Sequence, residues 1–126
     1  MRSGRLFKTK GGAAIYFGLF GSKFLFINAH LSAGEGRERE DQRIEELYKI
    51  ITTMEKSEEH EHYDGVFLCG DLNFRISQHR RADIYEHIRK CNFTPLIDTD
   101  QLTRLFLGST SKAMKGFQEA AFITFR

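Results

Sequence analysis

Tryptophan is absent from this sequence, proline occurs once, and cysteine occurs twice in 126 residues. A single proline rules out a Pro-rich linker and the usual composition of a disordered tail. Two cysteines, Cys69 and Cys91, are too few for a disulfide-stapled secreted scaffold, and both sit in largely apolar patterns. The longest apolar run, Ala13 to Phe17, is far too short to span a membrane. The opening stretch, Met1 to Lys10, is basic and polar and lacks the apolar core of a signal peptide. The expectation is a soluble protein of a reducing compartment, hence cytoplasmic, with peripheral contact at membrane surfaces left open.

A surplus of one charge is also lacking. The formal net charge is +2, and the cations are interleaved with acids, as in Arg37-Glu38-Arg39-Glu40. Such a run reads as a solvated helix surface. A dedicated nucleic-acid binder concentrates its cations on one face, so no nucleic acid is expected as a partner. The same balance largely cancels any pull of Arg37 to Arg43 toward an anionic membrane.

What is present is an ordinary globular composition, 40% hydrophobic and 29% charged, with 12 phenylalanines to supply the core. The length suits one domain, and neither an internal repeat nor a boundary is visible. Ala13 to Leu19 is apolar and β-prone. Phe20-Gly21-Ser22 then reads as a hairpin turn into a second strand, Lys23 to Asn28, pairing antiparallel with the first. Within it Phe24-Leu25-Phe26-Ile27 is apolar on consecutive residues, which predicts cover on both faces.

After a loop at Ser32 to Gly36, helical spacing runs from Arg37 to about Lys56, with Ile44, Leu47, Tyr48, Ile51 and Met54 on one stripe. Glu55 to Asp64 is a polar connection, and Val66-Phe67-Leu68-Cys69 is a short buried strand. Arg80 to Cys91 predicts a second helix with Ile84, His87, Ile88 and Cys91 on one face, broken at Thr94-Pro95. A weaker helical pattern covers residues 98 to 107, and Gly108 to Lys115 reads as a loop. The fold class is α/β.

Two of these strands finish in short polar clusters, Asn28-Ala29-His30-Leu31 and Gly70-Asp71-Leu72-Asn73-Phe74-Arg75. In layered α/β proteins ligands gather beyond strand ends, where loops carry polar groups that the strand interior cannot. Gly70 permits a sharp turn that leaves the Asp71 carboxylate at the edge. An acid, an amide two residues on and a histidine from another strand supply a base and two hydrogen-bond donors for phosphate cleavage. An Asx-turn alone also accounts for Asp71 and Asn73, and His30 alone reads as a structural histidine. Glu58-Glu59-His60-Glu61-His62 has metal-ligand residue types but lies in the most polar connection, where a solvated loop is the simpler reading.

The residues themselves add a resemblance. Val66 to Ile76 is similar to the G-D-L-N-[FY]-R signature of inositol polyphosphate 5-phosphatases, in the superfamily of DNase I-like endonucleases, exonucleases and phosphatases. Phe26-Ile27-Asn28-Ala29-His30-Leu31 resembles that family's F-[VI]-N-[ST]-H-L motif, with Ala29 in place of a hydroxyl residue. Arg39, Asp41 and Gln42-Arg43 resemble the charged start of the helix that follows. Lys8-Thr9-Lys10-Gly11-Gly12 resembles its G-N-K-G-[GA] turn. Gly116-Phe117-Gln118-Glu119 through Ile123-Thr124-Phe125 resembles the approach to its F-x-P-T-Y-K motif. The matches stand in family order along nearly the whole chain.

The resemblance implies a partial DNase I-like two-sheet sandwich with flanking helices, and residues 1–126 as an incomplete domain of this kind. It implies a Mg²⁺-dependent enzyme that removes the 5-phosphate from phosphoinositides or soluble inositol polyphosphates by in-line attack of water. Asp71 would deprotonate that water. Asn73 and His30 would donate to phosphate oxygens, and Lys10 would face a ring phosphate. Arg75 would touch substrate or hold the loop through a buried ion pair. The family's metal glutamate is expected upstream of this chain, and its P-T-Y-K, W-C-D-R and S-D-H segments are not found in it. Mg²⁺ binding by this chain is therefore not expected, nor is activity in isolation. The alternatives are a nuclease of the same superfamily, betrayed by DNA nicking, and a non-catalytic truncated binding protein.

Overall fold

A computed structural model describes residues 10–55 and 63–108. These fall into two compact units, one up to Asn73 and one from Phe74. Lys8-Thr9, the Glu58 to His62 stretch, most of the Gly108 to Lys115 loop and the match at Gly116 to Phe125 lie outside the described residues.

The first unit is a three-stranded mixed sheet with one long helix. Strands β1 (Gly11–Leu19) and β2 (Ser22–His30) pair antiparallel, and β3 (Gly65–Asp71) runs parallel to β2 on its other side. The hairpin is the tight two-residue kind, with Phe20 and Gly21 both at positive φ, a twist that suits the flanking strands. The parallel pairing of β2 with β3 requires a long crossover, and helix α1 (Arg37–Glu55) lies within it. Glu38 and Glu40 in the first turn of α1 complement its macrodipole.

The apolar run in β2 is covered on one face only, contrary to expectation. Leu25, Ile27 and Ala29 are buried, as are Leu31 beyond the strand and Leu47 and Ile51 on α1. On the other face Phe26 stacks on Phe17 and Phe67 with ring centroids 5.6 and 4.5 Å apart, yet Phe26 and Phe67 remain 38% and 48% exposed. β3 is correspondingly a mostly exposed strand rather than a buried one. The reason is that strand side chains alternate, and α1 approaches one side alone, where Ile50 closes on Gly12.

The buried stripe of α1 is also turned from the expected one. Leu47 and Ile51 are inside, but Tyr48 is 46% exposed and Arg43 is fully buried. Arg43 is held there because its guanidinium donates to the carbonyl oxygens of Gly34 at 3.0 Å and Ser32 at 3.4 Å. A cation at such a position needs hydrogen-bond acceptors, and the loop before the helix provides them. The charged run Arg37 to Arg43 is thus a solvated surface except at its end.

The second unit carries α2 (Arg81–Arg89), α3 (Thr94–Ile97) and α4 (Gln101–Gly108). Helix α2 stops earlier than expected, because Cys91 takes a left-handed conformation and its amide donates back to Ile88. Pro95 does not break it; it starts α3, where its missing N–H costs nothing. Ile84 and His87 are half-buried, whereas Ile88 and Cys91 are exposed, so the expected face is only half realised. Asp100 caps α4 by accepting from the Thr103 amide at 2.7 Å. Cys69 and Cys91 are both free and exposed. Among the described residues no helix is long and apolar enough to cross a membrane.

Candidate active site

Parallel pairing sets the C-terminal ends of β2 and β3 side by side. His30 and Asp71 are register partners at the last position of the ladder. The Leu31 amide extends the ladder by donating to the Asp71 carbonyl at 3.0 Å. Just before this point β3 approaches β2 unusually closely. Gly70 has φ +118°, and a Cβ built there would lie 2.1 Å from the Ala29 carbonyl oxygen and 2.6 Å from Oδ1 of Asn28. Only glycine fits.

Beyond the strand, the Asx-turn expected at Asp71 and Asn73 is formed. The Asn73 amide donates to Oδ1 of Asp71 at 3.2 Å, which leaves Oδ2 facing His30. Asn73 sits at φ +57°, and its side-chain amide folds back to donate to the Leu31 carbonyl at 2.9 Å. That bond uses one of its two N–H groups. The Asp71 and His30 side chains are 67% and 48% exposed, open to a ligand.

Lys10 completes the group from just before β1, whose first residue Gly11 is the register partner of His30. Its ammonium lies 2.5 Å from Nε2 of His30. An ammonium only donates, so Nε2 accepts and the ring proton belongs on Nδ1. Nε2 of His30 and Oδ2 of Asp71 are 3.8 Å apart, too far for a direct hydrogen bond. The expected donor role of His30 toward phosphate therefore falls to Nδ1.

Sequence reasoning missed the layer behind these residues. Glu46 on α1 accepts from the Ser32 amide at 2.8 Å and from its hydroxyl at 2.6 Å. Gln42 donates to both Ser32 Oγ and Glu46 Oε1, and receives Arg39 in turn. Burial raises the Glu46 carboxyl, but the Ser32 hydroxyl and amide, Gln42 and the Lys10 charge together hold it below the usual glutamate range. The available signal was an i, i+4 pair, Gln42 and Glu46, beginning one turn into the helix that follows the histidine motif.

The structure thus brings Lys10, His30, Asp71 and Asn73 together within one unit. Arg75 is described within the other. Its backbone amide donates to Oε1 of Gln101, and its carbonyl accepts from the Gln101 amide, each at 3.0 Å. Its side chain is exposed, which removes the buried ion pair considered for it. Magnesium fits these residues poorly. Among the described residues no group of three or more His, Cys, Asp or Glu side chains is arranged to hold a metal ion. Asp71 alone does not supply the oxygen cage that ion demands.

The geometry is that of a small polar site at two parallel strand ends. Residues 2–126 match the family described as Endonuclease/Exonuclease/phosphatase family 2, and the chain belongs to it. Phosphatidylinositol polyphosphate 5-phosphatase type IV of Rattus norvegicus is 30% identical over 129 residues, spanning 90% of this chain and 19% of that protein. Synaptojanin-2 of Homo sapiens is 31% identical over 115 residues, 90% of this chain and 7% of the relative. Phosphatidylinositol 3,4,5-trisphosphate 5-phosphatase 2B of Danio rerio is 28% identical over 106 residues, 80% and 9% respectively. The chain spans about a fifth or less of the length of these curated relatives.

Proposed function

We propose that this chain carries catalytic residues of an inositol polyphosphate 5-phosphatase-type phosphoester hydrolase, acting on a phosphoinositide or a soluble inositol polyphosphate. The observation that carries the reading is the pairing of His30 with Asp71 at adjacent strand ends, with Asn73 folded back against the same turn. Asp71 takes a proton from the attacking water as its oxygen bonds to phosphorus. The bond from phosphorus to the inositol oxygen breaks, and that oxygen takes up a proton. The free N–H of Asn73 and the ammonium of Lys10 face the charge that builds on phosphate oxygens. Of its three protons, Lys10 uses one on His30 and keeps two for an anion.

Residues 1–126 belong to one such domain in this reading, with Arg75 proposed as a substrate-contacting residue. The exposed phenylalanine face of the sheet supports the proposal of a two-sheet sandwich, since a second sheet would bury it. The setting is cytoplasmic, at membrane surfaces when the substrate is a lipid, with magnesium as the metal of the complete family domain only and no nucleic-acid substrate. With the rest of the family domain present, release of inorganic phosphate from an inositol polyphosphate in the presence of magnesium, lost in Asp71→Asn, is the expected result. Nicking of DNA by the same preparation, without phosphate release, would overturn the reading.

A further inference from the structure

Behind the site, every polar group of Ser32 is engaged by residues of α1. Its amide and hydroxyl donate to the two oxygens of Glu46, its Oγ accepts from Gln42, and its carbonyl accepts from Arg43. Ser32 therefore cannot turn without breaking several bonds at once. The residue before it is engaged from the opposite side. The Leu31 amide donates to the Asp71 carbonyl, its carbonyl accepts from the Asn73 side chain, and its own side chain is fully buried. The dipeptide Leu31-Ser32 is thus a rigid link between the carboxylate of Glu46 on α1 and the turn that presents Asp71 and Asn73.

We propose that Glu46 is a positioning residue for this site: by clamping Ser32 it fixes the Leu31 carbonyl that aims the Asn73 side-chain amide. A neutral residue of the same shape loses the charge that makes these bonds strong. The Lys10 charge also acts on the same carboxylate, helping to hold it below the usual glutamate range. Glu46 thereby bears on two of the groups assigned to the phosphate without being placed to touch it. The inference rests on the reading of Asn73 and Lys10 as phosphate-facing groups.

The test compares the chain with its Glu46→Gln and Ser32→Ala variants by NMR, and Glu45→Gln on the exposed side of α1 serves as control. Both variants are expected to shift the Asn73 side-chain amide resonances. They should also speed exchange of the Leu31 amide about fivefold, the size of one hydrogen bond. The methyl signals of Leu47 and Ile51 should stay in place, and the control should change neither readout. Unmoved Asn73 resonances in both variants would overturn the proposal. Loss of the folded state in both would overturn it too, because Glu46 would then merely hold the fold. In the phosphate-release assay Glu46→Gln should lower kcat and leave KM unchanged. Absence of phosphate release with the rest of the family domain present sinks the functional reading, while the NMR result still decides the coupling.

Discussion

His30 and Asp71 face each other as the last register partners of two parallel strands, with Nε2 and Oδ2 3.8 Å apart. One Asp71 oxygen is spent on the Asn73 amide, so the other is the oxygen available to a water molecule. Asp71→Asn should keep the turn, because an amide oxygen still accepts from Asn73, but it removes the base. With the rest of the family domain present, turnover in the phosphate-release assay should fall about a hundredfold or more. The melting temperature should barely move. A variant that keeps most of its turnover would take Asp71 out of the mechanism.

Gly70 leads to a prediction about stability rather than chemistry. Its positive φ, and the 2.1 Å that would separate an added Cβ from the Ala29 carbonyl oxygen, leave no room for a side chain. Gly70→Ala should cost about 3 kcal/mol or more, since strain and a backbone clash add. Denaturant titration measures this directly. A loss below about 1 kcal/mol would mean that the strand ends separate easily.

Glu46 makes part of the stability depend on acidity. Its folded carboxyl lies below the ordinary value, chiefly through Ser32 and Gln42 acting against burial. The stabilisation is therefore complete above the ordinary glutamate value and is lost as pH falls through the lowered folded one. Wild type should exceed Glu46→Gln in melting temperature at neutral pH, and the gap should close in acid below that window. A gap that stays constant with pH would show that the charge plays no part.

The stacked face of Phe17, Phe26 and Phe67 predicts association. Contiguous exposed aromatic surface of this kind drives contact between copies. Size-exclusion chromatography should show the isolated chain enlarging with concentration, and Phe26→Ser with Phe67→Ser should shift it toward monomer. A sharp monomer peak at every concentration in the wild type would contradict this.

Much of the site was readable in advance. The hairpin, the long helix and the third strand follow from local pattern, because Phe20-Gly21 suits a tight turn and apolar spacing separates strand from helix. His30, Asp71 and Asn73 announced themselves as polar residues at strand ends. Which side of each element is covered was not readable. Phe26 and Phe67 are as apolar as Leu25 and Ile27, and nothing local says that α1 packs over one face alone.

The sequence by itself determined the family, the order of the elements and the residue types of the site, since these depend on neighbours along the chain. The tertiary structure alone decided that His30 meets Asp71, that Lys10 reaches the same histidine, and that Glu46 lies behind Ser32. It also decided that Arg43 is buried, against the usual fate of a charged helix residue. The physical reason is common to all four. Parallel pairing and helix packing join residues distant in sequence, and whether a polar group is buried or exposed depends on the partners that arrive there.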